Sequence, residues 1–554
     1  MMPEVLFVNE NKTVFVKSGA TLLQAARLAG VMIESPCNAM GTCGKCRVRV
    51  ENEFQYATDA GSSRHQLSPA EEAAGYVLAC QTKIYGNLRV FSQDTAQSNR
   101  TLKILSDGQS FSYKIAPYIA KRFDGKKTVV YGGGEPLGEE EGDTSCRCYG
   151  VVADIGTTTL VAALVDLQTG REITTISALN PQSLHAQDVL TRIHLASDEA
   201  GLLLMYEKVT NEMERMIGAA AEQSGICRAD IYEVVFSGNT AMIHLACNVS
   251  PKTLGRYPYT PMITGGNRAP AKGLNISRFG SVYLPPVISA FVGPDITSGI
   301  LAVQLHKTGR TTLFIDIGTN GEMALAAEGA LCATSTAAGP AFEGMNIQCG
   351  MRAGQGAIEY YRIGENGDAE LHTIGDAPAK GICGSGLMDI VGELVHAGVI
   401  GKNGRFAPKG RSPQALASRL FEKEGKLAFQ ITDEVFLTQQ DIRQVQLAKG
   451  AIRSGIEALL LNRGVQAQEV ERVLIAGSFG YHLREESLLH IGLLPEPFAG
   501  KVEFVGNTSK SGGKAFLLNE GLRSEMRGLV EKIETVELAN SKGFEKLFVG
   551  SLGF

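Results

Sequence analysis

Several absences narrow the reading before any motif is considered. No apolar run approaches the ~18 residues that a membrane-spanning helix needs, and no basic stretch leads into a short apolar core near Met1. A soluble, cytoplasmic chain without a membrane partner is therefore expected. Positive charge is not in surplus either: 53 Lys and Arg stand against 58 Asp and Glu, for a net charge of -5. That leaves no basic face for nucleic acid. A phosphate-binding G-x-x-x-x-G-K-[ST] loop is missing, since the nearest candidate, GNTSKSGGKA at 506–515, has too long a gap before Gly513-Lys514 and ends in Ala515. No G-x-G-x-x-G follows an early strand, which argues against a pyridine-nucleotide reductase. Finally, the 11 cysteines do not form a disulfide framework, because four fall at ligand spacing and the others are scattered. A reducing compartment fits.

What is present is an α/β multidomain pattern. The 554 residues correspond to about three to four folding units. Residues 4–17 alternate apolar and polar side chains as two strands turning around Asn9 to Lys12, and Thr21 to Leu28 reads as a helix stopped by Gly30. A strand at Arg47 to Val50, an acidic helix near Ser68 to Ala74, and strands at Tyr76 to Ile84 and Asn87 to Phe91 follow. This suits a β-grasp module over 1–95. From 96 to 148 the pattern weakens, and Gly132-Gly133-Gly134 with Glu139-Glu140-Glu141 reads as a linker. Residues 149–300 and 301–554 then alternate strands, Gly-rich turns and helices, with one motif occurring in each part.

Cys37-x5-Cys43-x2-Cys46 lies in one loop, SPCNAMGTCGKCRVRV, and Cys80 follows after 33 further residues. Three thiolates from one loop and a fourth from a distant strand can surround a diiron centre, and Gly41 and Gly44 let the loop curl so that amides face sulfur. The first gap is one residue longer than in plant-type ferredoxins, and in this it resembles the adrenodoxin-like ferredoxins; YVLACQTKI resembles their last-ligand strand. A [2Fe-2S] cluster held by Cys37, Cys43, Cys46 and Cys80 is the favoured reading. A structural zinc site is the alternative, although zinc ribbons usually offer two close Cys-x2-Cys pairs. Cys146 and Cys148 read as incidental, and Cys227, Cys247, Cys332, Cys349 and Cys383 as buried thiols.

VVADIGTTTLVAALVD ends an apolar strand in Asp154, with Gly156, Thr157 and Thr158 at the bend of a hairpin. TLFIDIGTNGEMAL repeats the design 162 residues later with Asp316, Gly318, Thr319 and Asn320. Backbone amides and small hydroxyls at such bends cradle phosphate oxygens, while an aspartate holds Mg²⁺ or orients the attacking water. A single copy would be an ordinary hairpin; two copies facing each other make a cleft. Gly477-Ser478-Phe479-Gly480 ends another strand in a turn small enough for an adenine ring, and Gly384-Ser385-Gly386 opens a helix as a second phosphate-side candidate or a close helix–strand junction. Ser237 to Thr240 is a ligand-facing strand end or a turn. Asp295 is either a helix N-cap or a neighbour of Mg²⁺. Asp188 and Arg192, four residues apart, read by default as a surface ion pair.

The paired hairpins resemble the actin-like ATPase superfamily of sugar and acetate kinases, chaperones and actin, which implies two ribonuclease H-like halves closing on ATP. With both modules in this order, the chain resembles the reductive activators of corrinoid proteins. NPQSLHAQDVLTRI, VVFSGNTAMIHL, PPVISAFVGPDITSGIL, AAGPAFEGMNI and GNTS carry that likeness. The resemblance implies ATP-driven reduction of Co(II) to Co(I) in a corrinoid partner of a methyltransferase system. It also implies the four cysteines as cluster ligands, Asp154 and Asp316 as catalytic groups, and residues 154–158, 316–320 and 477–480 at the nucleotide. A ferredoxin or flavodoxin donor and a homodimer are further implications. No Asp-x-His-x-x-Gly occurs, so the corrinoid belongs to the partner. ATP has a physical place here, since moving one electron uphill by ~200 mV costs about 5 kcal/mol. Competing readings are a redox-sensing nucleotide-binding regulator, an activator of another low-potential metalloenzyme, and a small-molecule kinase.

Overall fold

The N-terminal module is organised by one helix packed on one sheet. In the computed structural model, which describes residues 2–51, 56–58, 66–92, 107–408, 410, 412–423, 425–477, 483–538, 541 and 543–554, strands Lys12–Phe15, Glu4–Phe7, Leu88–Ser92, Arg47–Glu51 and Tyr76–Leu78 lie side by side in that order. Glu4–Phe7 runs parallel to Leu88–Ser92, and the other pairings in the sheet are antiparallel. The helix Leu22–Ala29 starts in a capping box between Thr21 and Gln24 and stops where Gly30 turns left-handed at φ 61°. Its buried face, Leu22, Leu23, Ala25 and Ala26, joins Val5, Phe7, Val48 and Val90 in one core. This is the β-grasp expected for the N-terminal module, although Tyr76 to Ile84 is split into two short strands, Tyr76–Leu78 and Thr82–Ile84.

The remainder contains the same sheet twice. In the first, strands Glu172–Leu179, Thr159–Asp166, Tyr149–Ile155, Ile231–Gly238 and Ser281–Leu284 are neighbours in that order, with Asn267–Pro270 at the edge. In the second, Ala330–Thr336, Gly321–Ala327, Thr312–Ile317, Arg472–Ala476 and Val502–Gly506 repeat it. Each begins as an antiparallel meander and continues with two parallel strands. A long helix precedes the fourth strand in both, Glu199–Ser224 and Gln439–Arg463, each capped at its start by a side-chain oxygen and ended by a left-handed glycine at φ 65°. These are the two ribonuclease H-like halves of an actin-like fold.

The halves do not divide at residue 300, which falls inside the helix Pro294–Ala302. That helix packs against Thr508–Leu518, which also lies on the first half's strands. A Cβ at Gly512 would sit 1.9 Å from the Ser298 carbonyl oxygen, so this crossing requires glycine. A core between the two sheets results, joining Val152, Val235, Ile296, Phe314, Leu474 and Phe516.

The expected linker is corrected from residue 107 onward; 93–106 lie outside the described residues. Strands Ile119–Phe123, Lys127–Gly132 and Glu135–Glu141 form a three-stranded antiparallel sheet. Gly133 and Gly134, at φ 60° and 88°, make the bend after the middle strand. Ile119, Val130 and Cys148 belong to the same core as Phe516. Glu140, read as part of an acidic run, ion-pairs with the buried Lys121 at 2.8 Å and accepts from the Tyr232 hydroxyl at 2.6 Å. Among the described residues no helix is long and apolar enough to cross a membrane.

Candidate functional site

The four cysteines come together as two pairs. Cys37 and Cys43 have their sulfurs 3.3 Å apart, and so do Cys46 and Cys80. Cys37, Cys46 and Cys80 are buried and Cys43 half-buried. Gly41 and Gly44 take φ 75° and 66°, as the curl of the loop requires. With that backbone, amides of Thr42, Cys43, Lys45 and Gly41 point at the sulfurs. A hydrogen bond from Cys43 holds the Cys37 thiol down to about 4, and one from Cys46 holds Cys80 down to about 7; their partners are raised. Two sulfur pairs, each with one thiol held down and lined by amides, fit a diiron cluster with two protein ligands per iron. Cys146 and Cys227 are exposed, Cys247 and Cys349 half-buried, and Cys148, Cys332 and Cys383 buried, so the expectation of buried thiols fails for Cys227.

The two hairpins face each other across one cleft. Asp154, Gly156, Thr157, Thr158, Asp316, Gly318, Thr319, Asn320, Gly384 and Gly477 all line it. Ser385 does not: it is buried behind the helix start, with its hydroxyl 3.5 Å from the Cys383 sulfur. Ser478 and Gly480 lie outside the described residues. The hairpin tips nearly touch, Thr158 Oγ1 lying 3.4 Å from Thr319 Oγ1. Glu343 joins them, accepting from the Thr158 hydroxyl at 2.6 Å with one carboxylate oxygen and from the Thr319 hydroxyl with the other.

The first hairpin is fixed from behind. Its Gly156, Thr157 and Thr158 carbonyls are held in turn by the Asn180 side chain at 2.9 Å, the Arg192 guanidinium at 2.6 Å and the Asn180 amide at 2.8 Å. A Cβ at Gly156 would meet the Thr159 carbonyl oxygen at 2.6 Å. Arg192 is therefore not half of a surface ion pair: it is fully buried, and Asp188 instead caps the helix Val189–Leu195. Gly477, at φ 110°, brings its Cα so close that a Cβ would lie 2.2 Å from the Ile317 carbonyl oxygen. Asn239 caps the helix Thr240–Ala246 and donates to the Thr157 hydroxyl at 3.1 Å, while Ser237 turns away to Ser298 and Ser509.

Besides Glu343, four carboxylates share the cleft: Asp154, Asp295, Asp316 and Glu322. Burial, and then the neighbouring acids, push Asp316 up to about 8 and Asp295 up to about 7. Burial raises Asp154 and Glu322 as well. Asp295 is not an N-cap, since Gly293 takes that position, and its side chain faces the cleft from the first helical turn. Buried and repelling one another, these acids are disfavoured in their ionised forms, and among the described residues no three of them converge as a group that could hold a metal ion by itself. Asp154 is further held by Asn507 at 2.9 Å and Ser509 at 2.8 Å. Glu322, Glu343, Arg352, Asn507 and Ser509 line the cleft without having been singled out from sequence. The signal for three of them was the AAGPAFEGMNI and GNTS segments, which carry no role until folded.

Family models match the chain in three consecutive parts: a 2Fe-2S iron-sulfur cluster binding domain over 6–85, the RACo middle region over 149–308, and the C-terminal ASKHA domain of RACo over 310–554. A corrinoid activation enzyme, RamQ, of Eubacterium limosum is 33% identical over 418 residues, covering 72% of this chain and 69% of that protein. The chain belongs to the reductive activators of corrinoid proteins. Another relative, the [Co(II) methylated amine-specific corrinoid protein] reductase of Methanosarcina barkeri, is 26% identical over 445 residues, covering 73% of this chain and 77% of its own. The solved structure of a reductive activator for a corrinoid, iron-sulfur protein superposes with a TM-score of 0.73 at 31% identity, covering 100% of this chain and 98% of that one. The family thus accounts for both the cysteine loop and the two-hairpin cleft.

Proposed function

We propose that this chain restores a corrinoid protein to its working state by delivering one electron that reduces Co(II) to Co(I), at the expense of ATP. The observation that carries the reading is the union, in one chain, of the paired-cysteine loop with a nucleotide cleft of actin-like design. The cluster supplies a one-electron carrier when bound, and Mg²⁺-ATP supplies the free energy for an uphill transfer.

The residues then divide the work. Cys37, Cys43, Cys46 and Cys80 hold the cluster, and the amides of Gly41 and Thr42 lower its electron density through their hydrogen bonds to sulfur. The hydroxyls of Thr157, Thr158 and Thr319, with backbone amides at the hairpin bends, receive phosphate oxygens, and the first hairpin is held for this by its engaged carbonyls. Asp154 or Asp295 would hold Mg²⁺ together with the phosphate oxygens, and Glu343 or Asp316 would position water for attack. The electron donor is a soluble ferredoxin or flavodoxin, the location cytoplasmic and the assembly a homodimer.

The test is anaerobic mixing of the reduced chain with candidate corrinoid proteins while the Co(II) absorbance is followed. ATP-dependent loss of Co(II) with at least one of them is expected. ATP hydrolysis without cobalt reduction by any corrinoid protein of the host would contradict the reading and favour a nucleotide-binding regulator.

A further inference from the structure

Two chain segments run from the nucleotide cleft to the cysteine loop. The first, 180–192, holds the first hairpin's carbonyls at one end and at the other presents Asp188 and Thr191 to the Asn38 side chain, at 2.9 and 3.1 Å. Asn38 is the residue after Cys37 and takes the left-handed conformation, φ 50°. The second, 343–352, begins at Glu343 between the hairpin tips. Its Gln348 and Gly350 carbonyls accept from the Lys45 ammonium at 3.2 and 2.8 Å, and Arg352 pairs with Glu34 at 3.5 Å. Between these ends the Gln348 amide donates to Asp441 at 2.7 Å, which gives the segment a fulcrum. Glu34, Asn38 and Lys45 bracket Cys37 and Cys43, and Lys45 is next to Cys46.

The two segments differ in stiffness. Arg192 is fully buried and also donates to Ala186, Gln182 and Ser183, at 3.0, 3.0 and 3.2 Å, so the first segment is a rigid strut. The second is held between the hairpin tips by one carboxylate, while Cys349 and Met351 pair with Ile382 through backbone bonds of 2.8 and 2.9 Å and Arg352 returns to the cleft wall. Glu343 occupies, as an anion, the two hydroxyls that a terminal phosphate entering between the hairpins would also use. Two anions cannot share those donors in a buried cleft.

We propose that a nucleoside triphosphate displaces Glu343 from Thr158 and Thr319, that segment 343–352 then releases Lys45 and Glu34, and that the β-grasp module, with its cysteine loop and Cys80 moving together, swings out about its Asn38 tether towards its redox partner. This rests on the nucleotide reading above. Glu343 and Arg192 act as positioning residues: the first senses the phosphate, and the second keeps the pivot in place.

The test is hydrogen exchange on the full, cluster-loaded chain with Mg²⁺ and either ADP or the non-hydrolysable AMP-PNP, with nucleotide binding measured by calorimetry and cluster content by absorbance. AMP-PNP should speed exchange of residues 39–46 on the order of tenfold, ADP should leave it near the nucleotide-free rate, and 180–192 should stay protected throughout. Glu343→Gln, which keeps a hydrogen-bonding group but removes the charge, should bind AMP-PNP and lose the response. Glu343→Ala should exchange rapidly at 39–46 without nucleotide. Bound AMP-PNP with no change at 39–46, an equal response to ADP, or a wild-type response in Glu343→Gln would each overturn the coupling. If AMP-PNP does not bind at all, the nucleotide reading fails and this inference falls with it.

Discussion

The two hairpins share a sequence pattern and a place in the fold, yet they are built to different tolerances. The first is tied down: its three bend carbonyls are engaged by Asn180 and Arg192, and Asp154 is held by Asn507 and Ser509. At the second, no side-chain donor reaches Asp316 among the described residues, and nothing but the Asn320 carbonyl oxygen, at 3.8 Å, lies within 4 Å of a Cβ placed on Gly318. Duplication supplied two similar loops, and the surrounding chain has made one of them a fixed cradle. Asp316, buried and without a compensating hydrogen bond, is the carboxylate with most to gain from a cation.

Predictions that would break this comparison can be ranked by size. The largest contrast is between modules: Cys43→Ala should abolish electron delivery altogether, measured as Co(II) reduction, while nucleotide affinity by calorimetry stays within about threefold. Loss of both together would mean that cluster and cleft are not separable. Asp316→Asn should lower ATP hydrolysis by roughly 10²–10³-fold, the range seen when a charge-stabilising group is removed from a reaction centre. Asp154→Asn should cost less, about tenfold, because its remaining amide oxygen still accepts from one of Asn507 and Ser509; equal losses would erase the distinction between the hairpins. Arg192→Met should lower stability by about 3 kcal/mol in denaturant titrations, since the Thr157 carbonyl and Gln182 lose a buried charged donor.

The contrast also appears as a pH dependence of stability. Asp316 is raised in the folded state to about 8, against about 3.9 in the unfolded chain. Its protonated form therefore contributes stability that is full below about pH 4 and is lost as pH rises through about 8. Without divalent metal the melting temperature should fall across that window, and Mg²⁺ should flatten the fall by stabilising the ionised form. Asp316→Asn should reduce the slope; an unchanged slope would place the titration elsewhere.

What was legible in the sequence was local. Alternation in 4–17, the Gly30 stop, the cysteine spacing and the two Asp-Gly hairpins depend on residues close in the chain, and both modules and their fold follow from them. Residues 107–148 were misread because three glycines and three glutamates resemble a tether until Phe516, almost 400 positions away, supplies the core on which Ile119 and Val130 pack. For Arg192 spacing suggests Asp188, but the guanidinium is buried against the Thr157 carbonyl of the first hairpin and against Gln182 ten residues earlier. Glu343 had no readable role because its partners are Thr158 and Thr319, one on each half. The division of labour between the hairpins was equally invisible, since it resides in what stands behind them.

The central claim is that the cleft and the cysteine loop serve one uphill electron transfer, and single-turnover reduction of a corrinoid protein tests it most directly. With the chain pre-reduced and external donor removed, the account predicts that ATP converts Co(II) to Co(I) in an amount no greater than the cluster present, with little conversion when ADP replaces ATP. Equal Co(I) formation with and without ATP, or none with any corrinoid partner, would contradict it.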